Sequence, residues 1–135
     1  MSAFATLTLP HFLAVGTGAA LGAWLRWLLG LALNPLVAAL PLGTLAANLL
    51  GGYLVGVAVG YFHLHSQLPL ALKLFAITGF LGGLTTFSTF SAEVVERLLA
   101  GQAGWAIGLA IVHLAGSLTA TWLGLHSIGA TRIWG

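Results

Sequence analysis

Residues 70 to 99 form one apolar run with a polar, helix-hostile centre, and that conflict limits what the chain can fold into. As a straight helix, thirty residues would rise roughly 45 Å, well beyond a hydrocarbon core of about 30 Å. At the middle stands Gly79-Phe80-Leu81-Gly82-Gly83-Leu84-Thr85-Thr86-Phe87-Ser88-Thr89-Phe90-Ser91. Its three glycines and five hydroxyl residues favour turns and local backbone hydrogen bonds over continuous helix. The run predicts a helix broken near Gly82 to Thr86 and restarting around Phe87. Unpaired backbone at membrane depth persists only when it is buried in protein or lines a watery cavity, where its carbonyls and amides can bind ions. The break is a candidate ion site.

The rest of the chain places this run in a bilayer. Of 135 residues, 59% are hydrophobic and 4% charged, so a soluble domain could not hide its apolar surface. Further apolar stretches at 11–33, 42–62 and 105–126 complete four expected transmembrane helices in a single domain, 1–135, an all-α integral membrane fold. Pro10, Asn34-Pro35 and Pro41 disfavour helix at the first boundaries, a short polar loop runs from His63 to Pro69, and Gly101 to Gly104 form a tight turn. The first stretch has no cationic start and runs too long for a signal peptide, so it reads as a retained span.

Polar residues inside these spans fall on stripes. Gly18, Gly22 and Arg26 are four apart on the first helix. Arg26 reads either as a cation snorkelling to the interface or as one that anchors a loop or draws anions to a pore mouth. Thr44, Asn48, Gly52, Gly56 and Gly60 share one stripe of the second, where small residues let helix backbones approach closely. Asn48 on that stripe is either an interhelical hydrogen bond or an N–H donor in a polar pathway. His113, Ser117 and Thr121 align likewise on the fourth, as a packing element or a polar track. Glu93 can pair with Arg97 one turn on, or hydrogen-bond inside the assembly.

This inventory excludes several functions. The chain has no cysteine and no aspartate, and no Ser and His at recognisable spacing, so neither thiol chemistry nor a hydrolytic constellation is expected; the chain does not read as an enzyme. His63 and His65 lack an accompanying carboxylate or cysteine and read as interfacial residues, not metal ligands. A net charge of +2 comes from scattered cations, which argues against nucleic acid as a partner. Scarce intramembrane carboxylates argue against acidic cation-channel rings and proton relays. Hydroxyls, one amide, one imidazole, aromatic rings and a broken backbone remain, a set that suits a small dehydrated anion. Phe87 and Phe90 fit either core packing or edge-on contact with an anion, since the ring edge carries the positive end of the quadrupole.

Four spans put both termini on one side. Lys73 and Arg132 then fall on the terminus side and Arg26 and Arg97 on the other, two against two, which leaves the positive-inside rule nothing to act on. Both orientations are expected, and an inverted pair would mimic the inverted repeats of larger transporters.

The run Gly82-Gly83-Leu84-Thr85-Thr86-Phe87-Ser88-Thr89-Phe90-Ser91 resembles the signature of the small Fluc/CrcB fluoride channels. Gly43 to Gly51 (Gly-Thr-Leu-Ala-Ala-Asn-Leu-Leu-Gly) and Gly22-Ala23-Trp24-Leu25-Arg26 resemble the motifs of that family's second and first helices. The resemblance implies a fluoride-selective channel, an antiparallel dual-topology homodimer in the bacterial inner membrane with two pores that export cytoplasmic fluoride passively. It implies Phe87 and Phe90 as ring-edge contacts, Asn48 as an amide donor, and Ser117, His113, Thr44, Ser88 and Thr89 as pore residues, with Arg26 at the mouth or anchoring it. It also implies a central structural Na⁺ held by the backbone carbonyls of Gly82 and Thr85. Two rivals stand beside it: a non-conducting membrane scaffold, and a proton-coupled anion transporter resting on His113 and Glu93.

Overall fold

A computed structural model describes residues 8–134, all of whose long elements are helical. Four segments are long and apolar enough to cross a membrane: Leu9–Leu36, Leu42–Leu64, Leu70–Leu99 and Ala103–Ser127. The chain is a multi-pass membrane protein. Helix α1 spans Leu9–Leu33 and α2 spans Leu42–Leu64. Pro10 does not precede α1 but sits in its first turn, where the N–H that proline lacks would have had no helical partner anyway. Helix α2 runs on past residue 62, so His63 is helical and not part of the polar loop.

The third span is divided. Its first half, α3, comprises Leu70–Lys73, a wider π-helical stretch Leu74–Leu81, and a final α turn Gly82–Leu84. Thr85 and Thr86 are extended, and α4 then covers Phe87–Leu99. The last span is α5, Ala103–Ser127, followed by a 3₁₀ turn at Ala130–Ile133. The break is therefore confined to two threonines, and Gly82 and Gly83 remain helical. A helical glycine costs only about 1 kcal/mol relative to alanine, which packing readily offsets. At Gly83 that packing is visible: a Cβ would run into the Ala19 carbonyl of α1.

Close backbone approach organises the bundle into two helix pairs, α1 on α3 and α2 on α5. A side chain at Gly22 would strike the Phe80 carbonyl, with Leu84 N 2.7 Å away, so α1 lies directly on the turn before the break. Ala47, Leu81 and Leu84 form the small buried core between the pairs. Gly51 of α2 abuts the Thr85 methyl, leaving no room for another residue beside the break. The sequence stripes on α1 and α2 thus serve first as packing faces, bringing the second helix against the interrupted one.

Candidate ion site at the helix break

Breaking a helix leaves carbonyls at its end and amides at its restart without helical partners. Here several are taken by side chains from other spans. Arg26 donates from Nε to the Gly83 carbonyl at 3.0 Å, so the cation of α1 caps the end of α3. Thr86 is the N-cap of α4, its Oγ1 accepting from Thr89 N at 3.0 Å. Its hydroxyl also donates to Thr89 Oγ1 and lies 3.3 Å from Ser88 Oγ.

Asn48 grips the backbone of Thr86 on both sides of its Cα. Its Oδ1 accepts from Thr86 N at 2.7 Å, and its Nδ2 donates to the Thr86 carbonyl at 2.9 Å. The second Nδ2 hydrogen faces His113 Nδ1, also at 2.9 Å. Both amide N–H groups are engaged within the chain, so an anion would meet this amide only by displacing one partner. His113 is 1% exposed, and its Nε2 is buried without a hydrogen-bond partner. Its ring stacks on Phe90 at 4.8 Å and 10°, and Phe90 meets Phe87 edge to face at 4.9 Å. Phe90 is buried, whereas Phe87 is 71% exposed on the outer face of the chain.

These groups surround one cleft of about 300 Å³, lined by Asn48, Gly52, Thr85, Thr86, Phe87, Phe90, His113, Leu114, Ser117 and Leu118. No carboxylate is among them. A second cleft, of about 280 Å³, gathers Arg26, Asn34, Thr44 and Thr89 with Trp27, Gly30 and Leu31. The candidate residues thus divide between two chambers. Ser88 lines neither, and Gly82 lies exposed on the outer face.

Glu93 forms no pair with Arg97 among the described residues. Thr44 Oγ1 donates to Glu93 Oε1 at 2.6 Å, and Oε2 is buried without a partner. Arg97 instead donates to Gln102 Oε1 at 3.0 Å and to the Ala38 carbonyl at 2.9 Å, tying two loops together. Helical spacing permits the i, i+4 pair, but Arg97 is committed to the loop groups and Glu93 to the hydroxyl of the facing helix. The separation of forty-nine positions between Thr44 and Glu93 leaves no local sequence signal for that contact. Thr86, whose backbone rather than side chain is gripped, was equally hidden. Near the opposite surface, His63 lies against Trp134 and His65 stacks on Tyr61.

A family profile described as CrcB-like protein, Camphor Resistance (CrcB), matches residues 13–125. The chain belongs to the CrcB family. It is similar to a protein of Dechloromonas aromatica (strain RCB) named fluoride-specific ion channel FluC, at 76% identity over 134 residues, covering 99% of each chain. Proteins of the same name from Nitrosospira multiformis and Aromatoleum aromaticum are 64% identical over 115 residues and 56% identical over 128. These matches cover 85% and 95% of this chain and 90% and 98% of theirs. The CrcB match takes in the break, both clefts and every residue that contacts them.

Proposed function

We propose that the chain is a fluoride-selective channel of the inner membrane, passing fluoride down its gradient instead of catalysing a reaction. The observation that carries this reading is the cleft at the Thr85–Thr86 break, which holds hydrogen-bond donors and two phenylalanine rings but no carboxylate. A small anion stripped of water needs donors and positive ring edges, and an acidic lining would repel it. Homologues named as fluoride-specific channels, similar over nearly the whole chain, support the same ion.

The working unit is an antiparallel homodimer of chains inserted in both orientations. Its support is the even division of cations, with Lys73 and Arg132 against Arg26 and Arg97. A structural Na⁺ fits between two copies. Among the described residues no side chain donates to the carbonyls of Gly82 and Thr85, whereas those of Gly83 and Thr86 are taken by Arg26 and Asn48. Gly82 is also exposed on the outer face, where a second copy could share the ion. Bound there, the cation would supply positive charge that offsets the cost of holding anions nearby in a low dielectric.

The chain's own groups account for the rest. Ser117 lines the cleft with no protein partner for its hydroxyl among the described residues, so it is free to donate to a passing ion. Arg26 holds the end of α3, fixing the height of the break relative to α1. Purified protein in liposomes should release fluoride far faster than chloride, and Phe87→Ile or Phe90→Ile should suppress the flux. Equal chloride release, or full flux in both variants, would overturn the assignment.

A further inference from the structure

The hydrogen bonds around the break fix more than shape. A backbone peptide has an unambiguous polarity: its N–H donates and its carbonyl accepts. Because Thr86 N–H faces Asn48 Oδ1 and the Thr86 carbonyl faces Asn48 Nδ2, the amide has only one possible orientation. Its second N–H must then point at His113 Nδ1, 2.9 Å away. An N–H facing a ring nitrogen requires that nitrogen to be an acceptor, so Nδ1 carries no proton. The imidazole is neutral, and its remaining hydrogen sits on Nε2.

We infer that Asn48 is a positioning residue that locks His113 in the Nε2–H tautomer, and that this N–H is a donor to the dehydrated anion beside Phe90. The inference rests on the fluoride-channel reading. Among the described residues Nε2 is the end of the Asn48–His113 chain left unanswered, buried with no acceptor, on a residue that lines the cleft and stacks against Phe90. A donor sealed from protein acceptors and from bulk water is costly unless a ligand completes it. A small anion admitted by a shift of the Phe90 ring is such a ligand. The same lock separates this role from a proton carrier: a second ring proton would set His113 Nδ1–H against the Asn48 N–H.

The test uses the full chain in lipid nanodiscs, labelled with ¹⁵N-histidine, with His113→Phe identifying the His113 signals among five histidines. The expected spectrum has Nε2 protonated and Nδ1 bare, and sodium fluoride, but not sodium chloride, shifts the Nε2–H resonance. Asn48→Asp, studied at alkaline pH where its carboxylate is ionised, can still accept from Thr86 but has no hydrogen to donate to Nδ1, so the ring should move its proton to Nδ1; a stable fold with the wild-type tautomer there would overturn the positioning role. His113→Phe keeps a ring against Phe90 without the donor, and flux should fall about tenfold or more, the scale of one hydrogen bond to a charged group. A wild-type spectrum with Nδ1 protonated, or an Nε2–H signal indifferent to fluoride while liposomes still conduct it, would overturn the inference without any variant. Liposomes that release no fluoride would instead remove the channel reading, and the donor role with it.

Discussion

Replacing Gly56 by alanine should weaken the protein and its conduction together, because one contact sets both. An ideal Cβ on Gly56 stands 2.9 Å from Leu125 N and from the Thr121 carbonyl carbon of α5, and closer still to the Thr121 oxygen. Ordinary contact begins at 3.4 Å, so α2 and α5 must separate by at least about 0.5 Å. No flexible side chain can yield, since the obstacle is backbone. Gly124 meets the same crossing from the other side, where a Cβ would lie 2.9 Å from Val57 N. Overpacking of this kind costs about 1–3 kcal/mol. The two helices also carry the two ends of the Asn48–His113 bond, now 2.9 Å long. A rigid separation of that size would stretch it to about 3.4 Å, the limit of a useful hydrogen bond. Gly108→Ala, on the partner helix α5, is the control: a Cβ there meets nothing within 4 Å, and helix propensity favours it by up to about 1 kcal/mol. Unfolding in sodium dodecyl sulfate followed by circular dichroism, with fluoride efflux on the same preparations, measures both effects. Gly56→Ala within about 0.5 kcal/mol of Gly108→Ala, with undiminished efflux, would refute the reasoning.

Thr44→Val should destabilise by about 1.5–3 kcal/mol, since it removes the donor to a partly buried Glu93 carboxyl while preserving side-chain shape. Thr44→Ser should recover most of that loss, and a valine variant as stable as the serine one would show that the bond contributes nothing. Because the native chain has no cysteine, single cysteines beside Gly82 report the dimer directly. Antiparallel crosslinks should form, and the assembly should dissociate more readily when N-methylglucamine replaces Na⁺. Crosslinks of parallel geometry alone, or equal stability in both cations, would discard the inverted dimer or the shared ion respectively.

The interruption in the third span was legible because composition alone opposes a thirty-residue helix at that depth. Its position was less so. Glycines attract suspicion as helix breakers, yet Gly79 and Gly83 stay helical because they bring α3 against Val15 and Ala19 of α1. Thr85 and Thr86 take the extended conformation instead, a choice that depends on Asn48 and Arg26 arriving from other helices to satisfy the freed peptide groups. No window of local sequence contains that information. The π-helical winding of Leu74–Leu81 is invisible for a related reason: Leu-Phe-Ala-Ile-Thr-Gly-Phe-Leu is ordinary apolar helix by composition.

Asn48 marks where sequence reasoning must stop and geometry take over. Spacing alone leaves its two readings open, glue between helices and donor in a pathway, because spacing does not say where each hydrogen-bonding group of an amide goes. In the structure it makes three hydrogen bonds, two to the backbone of Thr86 and one to an imidazole. The backbone dictates the direction of the amide, the amide dictates the proton on the ring, and the ring delivers a donor to the cleft. The structural bond is thus the means by which polarity reaches the site. A membrane interior makes such transmission dependable, because lipid offers none of these groups a substitute partner. The break in the helix is then more than an opening: the fixed backbone of Thr86 sets the sign of the hydrogen bond that an ion in the cleft would meet.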